Sequence, residues 1–137
     1  MRAMLSGICL ALWVLPALAQ SYLAVNRLDV VPMTQDTFEV IESRGAGASA
    51  IWCAAADYTI WAGRDGPRKR LYVLTPRGPS RTRAGATAVA YTLTPDDRLR
   101  NTPPSYSVSV RREGENLAVF HAHNFCDVFV DELLDRF

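Results

Sequence analysis

Apolar positions recur at helical spacing between Gly47 and Trp61. Ile51, Tyr58 and Trp61 fall on one face with Ala54 and Ala55 between them, and Trp52 and Cys53 carry the apolar arc most of the way round. Alanines at 48, 50, 54, 55 and 56 favour the helix, since alanine loses the least on entering one. Asp57 is its one charge. A helix apolar on most sides is buried on most sides, so this one is expected to be the pillar of the domain. Gly45 to Gly47 reads as the loop before it, with Ser49 as N-cap; Gly63 reads as the residue closing its C-terminus, and Gly66-Pro67 prevents continuation.

Elsewhere the period is two. Residues 22–33 read as one extended strand ending near Pro32, and 38–43 as a second, the two pairing across the polar break at 34–37. Residues 70–75 are rich in sheet-favouring types and form a third. Residues 87–94 alternate strictly, with Val89, Tyr91 and Leu93 on one face. Residues 106–111 and 117–123 flank a turn at Gly114 and read as a hairpin. Cys126, Phe129, Val130, Leu133 and Leu134 are spaced for a short C-terminal helix. The order predicts an α+β domain: one central helix on a mainly antiparallel sheet of about five or six strands, whose other face is exposed.

The N-terminus changes the picture of where this domain works. Met1-Arg2 precedes an apolar run from Leu5 that ends in Ala17-Leu18-Ala19, the pattern of a cleaved export signal. Residues 1–19 are therefore read as a signal peptide and 20–137 as a single exported domain, periplasmic or secreted. Cys9 follows Ile8 inside the apolar run, which argues against a lipoprotein, and no later run is long enough to span a membrane. The chain carries 15 basic and 14 acidic residues, and loss of Arg2 balances them. Global charge thus argues against nucleic acid as a partner and offers no broad attraction to anionic lipid. Loss of Cys9 leaves Cys53 and Cys126, an even pair that in an exported chain reads as a disulfide.

Candidate chemistry is sparse. There is no Gly-x-Ser-x-Gly, phosphate-binding loop, dinucleotide fingerprint or Cys-x-x-Cys, and no cofactor is expected. On a strand His121 and His123 share a face, and with Cys53 and Cys126 they suggest a Cys₂His₂ metal site, but the spacing is wrong for a finger and the disulfide competes for the thiols. Cys53 lies mid-helix rather than at a helix start, a poor place for a nucleophilic thiolate. The pairs Asp96-Asp97, Glu113/Glu115 and Asp131-Glu132 read as solvated turn or helix residues. Asp57 is expected to meet an arginine of the following connector or to cap backbone amides; a polar site of Asp57, His121 and His123 is the alternative. Arg64, Arg68, Lys69, Arg70, Arg77, Arg81 and Arg83 form a basic segment, which either pairs with the acidic C-terminal stretch or, through residues 68 to 83, binds an anionic partner.

Trp52-Cys53-Ala54-Ala55-Ala56-Asp57-Tyr58 resembles a segment of a group of small uncharacterised secreted proteins of alphaproteobacteria. Gly78-Pro79-Ser80, Tyr91 to Pro95, Asn116 to Val119 and Asn124-Phe125-Cys126 extend the resemblance over most of the mature chain. It implies an exported domain that keeps both cysteines as a structural pair, and it carries over no catalytic residue. Three functional readings follow. The first is a non-enzymatic binding or envelope-associated module, with an envelope protein or an anionic surface as partner. The second is a small hydrolase or lyase using Asp57, His121 and His123. The third is a polyanion binder using the arginine-rich loop at 64–83.

Overall fold

A computed structural model describes residues 20–103, 107–128 and 134–135. In chain order it contains β1 (Tyr22–Leu23), β2 (Asp29–Pro32), β3 (Thr37–Ile41), α1 (Ala48–Trp61), β4 (Arg70–Pro79), β5 (Thr87–Thr92), α2 (Asp97–Arg100), β6 (Asn116–Ala118) and α3 (Val119–His123), followed by a 3₁₀ turn at Asn124–Cys126. The strands form one antiparallel sheet in the order β1-β2-β3-β5-β4-β6, with α1 packed on one face. The α+β architecture and its central helix are thus as expected. The export signal read at 1–19 lies outside the described residues. Among the described residues no helix is long and apolar enough to cross a membrane.

The alanine run explains the position of α1. Ala50 through Ala56 are all buried, because the sheet covers one side of the helix and α3 with the 3₁₀ turn covers the other. Alanine's small side chain lets both layers approach closely. Trp52, Phe38, Val40, Leu71, Val73, Val89 and Tyr91 fill the space between helix and sheet, and the Trp52 indole donates to the Val108 carbonyl at 2.9 Å. Trp61, placed by its spacing on the bulky face, instead stays 66% exposed and stacks on Tyr22 with ring centroids 4.6 Å apart. Gly47, not Ser49, is the N-cap, and it offers no side-chain cap. Gly63 has φ +68°; its N–H bonds the Ile60 carbonyl and that of Arg64 bonds the Thr59 carbonyl, which closes the helix as predicted.

Cys53 of α1 is bonded to Cys126 of the 3₁₀ turn, 73 residues away. The bridge therefore joins two helical elements. The expected short C-terminal helix is present and starts earlier than Asn124: α3 begins at Val119, and Asp127, Val128 and Leu134 are also helical. Phe129, Val130 and Leu133 lie outside the described residues, and Leu134 is exposed.

Three strand expectations need correction. Residues 22–33 do not form one strand: the chain turns at 24–27, where Arg27 has φ +66°, Asn26 donates to the Ala50 carbonyl, and Ala24 and Leu28 close the turn. The hairpin of 106–111 with 117–123 is absent. Residues 107–111 are not in a strand, Tyr106 lies outside the described residues, and β6 pairs with β4 instead. Residues 110–115 run beside β4 through scattered bonds, such as the Gly114 N–H to the Val73 carbonyl, and Gly114, at φ +86°, does make the turn.

The outer face of the sheet is also not open. Ala88, Ala90 and Thr92 of β5 are as buried as the helix-facing Val89 and Tyr91. The segment after β4, expected to be a free basic loop, folds back across this face. Its first part continues β4 to Pro79, and Ala86 then packs with Val31, Ile41 and Ala88. Beneath it lies Glu39, 2% exposed. Its carboxylate accepts from Ser80 Oγ at 2.8 Å, from the Arg81 and Thr82 backbone N–H groups at 2.8 and 3.2 Å, and from Thr82 Oγ1 at 2.7 Å. A buried carboxylate is tolerated when hydrogen bonds replace its water, and here one loop supplies them all.

Candidate functional site

Asp57 sits in the last turns of α1, close to the N-terminal hairpin and to α3. Its carboxylate accepts from the Tyr22 hydroxyl and from the Val25 N–H, both at 2.9 Å, and lies 3.7 Å from His123 Nε2. It therefore caps a backbone amide, one of its two expected roles, and meets no arginine of the connector: Arg64 pairs with Asp36 at 3.0 Å. Burial, then the Asp57 hydrogen bond and charge, push the Tyr22 phenol up to about 12.

The two histidines were expected on one strand face. They lie instead on α3, where residues two apart point roughly 200° from one another. His123 turns to Asp57, whereas His121 is exposed with its ring against Phe125. The structure thus brings two of the three candidate polar residues together and leaves out His121. The Cys₂His₂ arrangement does not form, since Cys53 and Cys126 are bonded to each other. Among the described residues no group of three or more His, Cys, Asp or Glu could hold a metal ion.

What Asp57 does chemically is clasp three segments. Replacing it with Asn removes the charge and one well-oriented acceptor. Stability is expected to fall by about 1–2 kcal/mol in urea unfolding. The Tyr22 phenol, followed by ultraviolet absorbance, should titrate lower than about 12, held up by burial alone. An unchanged Tyr22 titration would count against the clasp.

Part of the basic segment is spent within the fold. Arg77 engages both carboxylate oxygens of Glu42, and Arg83 pairs with Asp29 at 2.9 Å. Arg81 gives its backbone N–H to Glu39. Among the described residues the acidic partners come from β2, β3, the turn between them and Glu42 just after β3, whereas Asp131 and Glu132 of the C-terminal stretch lie outside the described residues. Paired cations of this kind add little attraction for an external anion.

Arg68, Lys69 and Arg70 are different. They line an open cleft of about 670 Å³ between the connector before β4 and the segment after β5. Gly66 and Pro67 lie on their side, with Tyr72 next along the strand; Leu93, Thr94, Pro95 and Arg100 line the other. Arg70 and Tyr72 project from the sheet face opposite α1, because Leu71 and Val73 between them enter the core. Asn116, paired with Tyr72 in the sheet, accepts from Arg70 Nε at 2.9 Å and fixes its guanidinium. Arg100 is held by Asp97 at 3.0 Å and by the Pro95 carbonyl at 3.1 Å. Arg68 and Lys69 are exposed, and among the described residues neither is paired with a carboxylate. Among the described residues no acidic residue lines the cleft.

Arg100 and Tyr72 were not singled out by sequence. Arg100 ends the short helix α2, whose start is signalled by Asp96: its carboxylate accepts the Leu99 N–H at 2.8 Å. That cap was readable in the chain, where Asp96 was instead taken for a solvated turn residue. No protein-family model, curated protein or solved structure matches this chain, so the geometry of the cleft carries the functional reading.

Proposed function

We propose that the protein is an exported, non-enzymatic binding domain that takes a negatively charged group in the cleft between residues 66–72 and 93–100. The observation that carries this reading is the lining: Arg68, Lys69 and Arg70 stand together, and among the described residues no carboxylate lines the cleft or pairs with them. With basic and acidic residues otherwise balanced, the attraction is local, made by convergence of side chains rather than by net charge. Export is supported by the apolar segment ending at Ala17-Leu18-Ala19, by the disulfide and by the resemblance to secreted proteins of alphaproteobacteria.

This reading narrows the anion-binding set. Arg68, Lys69 and Arg70 keep that role, while Arg77 and Arg83 are neutralised by Glu42 and Asp29. It is favoured over a hydrolase or lyase, because Asp57 Oδ2 is engaged by Tyr22 and Val25 in a structural clasp and His121 is exposed against Phe125, so the three residues do not converge in one site.

The test is an NMR titration of the exported protein with inorganic phosphate. Amide resonances of residues 68–70 and 94–100 should shift together, and the shifts should weaken as salt rises from about 0.05 to about 0.5 M. The Arg68→Gln/Lys69→Gln double variant should bind at least about tenfold more weakly while keeping its unfolding midpoint, since both side chains are exposed. Absence of shifts at the cleft, or binding indifferent to salt, would sink the reading.

A further inference from the structure

The cleft is far larger than the anion that its cations call for. At about 670 Å³ it lies within the range of roughly 300–1,000 Å³ typical of sites for organic molecules. A bare phosphate would leave most of it to water. The rest of a ligand must therefore suit the rest of the lining.

That lining is divided. The cations Arg68, Lys69 and Arg70 stand together on the strand side. Tyr72 follows them along the strand, and Pro67, Pro95 and the nearly buried Leu93 supply the apolar part of the lining. Arg100 lines the other side, but both of its terminal nitrogens are engaged, with Asp97 and the Pro95 carbonyl, so it forms a wall more than a receptor. Groups that would read a polyhydroxyl body are scarce: Thr94 and Tyr72 supply one hydroxyl each, and among the described residues no Asp, Glu, Asn or Gln lines the space. Sugar hydroxyls buried there would lose water without gaining partners. A flat apolar body loses nothing by entering, and a Tyr ring beside it adds offset or edge-on aromatic contact.

We infer that the cleft binds small amphiphilic anions, in which one charged head is joined directly to an aromatic body: the head meets Arg68, Lys69 and the Asn116-fixed Arg70, and the body lies along Tyr72 toward Leu93 and Pro95. Fixing the Arg70 guanidinium through its Nε edge presents its remaining N–H groups in one orientation, which suits a head with two or three oxygens. This assignment rests on the anion-binding reading above and adds the ligand class to it.

Three probes separate the two claims: inorganic phosphate, glucose 6-phosphate and 1-naphthyl phosphate, each titrated against the full exported protein. All three carry the same kind of head. The naphthyl ester is expected to bind at least about tenfold tighter than the other two. Tyr72→Ala should erase most of that advantage and leave the affinity for inorganic phosphate unchanged. Tyr72→Phe, which keeps the ring and removes the hydroxyl, should retain the advantage, and the unchanged phosphate affinity of the alanine variant shows that its loss is not a failure to fold. If the three probes bind alike, or glucose 6-phosphate binds tightest, the aromatic assignment is wrong and the anion site stands. If none binds, both readings fall together.

Discussion

Opening the Cys53–Cys126 bridge lowers the thermal unfolding midpoint by roughly 15 °C in a domain of this size. The bridge spans 73 residues, and the chain-entropy relation for such a loop gives about 4 kcal/mol. Most of a small domain's net stability, roughly 5–15 kcal/mol, stands on comparably few such contributions. Both cysteines are buried, so the loss is not softened by solvent. The experiment is differential scanning calorimetry of the oxidised protein, of the same protein after reduction, and of the Cys53→Ala/Cys126→Ala pair. Reduced and doubly substituted forms should melt together, well below the oxidised one. Coincident melting of all three would show that the bridge contributes nothing beyond the packing of α1 on α3.

Glu39→Ala is expected to cost about 3 kcal/mol, the second-largest effect. The substitution removes the one acceptor that gathers Ser80, Arg81 and Thr82 over the outer sheet face. It leaves the Arg81 N–H without its partner and the Thr82 N–H with Ser80 Oγ alone, and it loosens Ala86 from the Val31, Ile41 and Ala88 cluster. Burial pushes the Glu39 carboxyl up, but the hydrogen bonds from Arg81, Thr82 and Ser80 together outweigh it, so the group titrates below its ordinary value of 4.5. The sign of the pH dependence follows. The contribution is present above the unfolded value and is lost as pH falls through the lower folded one. Urea unfolding of the wild type should therefore weaken below about pH 4.5, and Glu39→Gln should flatten that part of the profile. A variant as stable as the wild type at pH 7, with the same acid slope, would refute the role.

The elements that could be read from the chain are those whose own residues decide them. The alanines of α1, the alternation of β5 and the even cysteine pair each carried their structure locally. Elements decided by distant partners were not legible. β4 continues through Pro76 and Pro79, residues that argue against a strand, because β5 holds them in register with bulges after Val73 and Thr75. Residues 119–123 alternate enough to pass for strand, yet they curl into α3 next to the cysteine bonded to α1. The cleft was half legible for the same reason. Arg68, Lys69 and Arg70 are adjacent in the chain, but only the pairing of Tyr72 with Thr92 brings Arg100 and Pro95 across from them. Asp57 attracted notice as the lone charge on an apolar helix, while nothing near it in sequence named Tyr22 as its partner.

The position of the bridge also bears on the order in which the chain can close. In synthesis from the N-terminus Cys53 emerges with α1 long before Cys126, and everything from β4 to α3 lies between them. Neither layer that buries α1 is complete at that stage, since the sheet still lacks β4 to β6 and α3 has not been made. Covalent closure is therefore a late event, which fixes a domain whose other elements already exist.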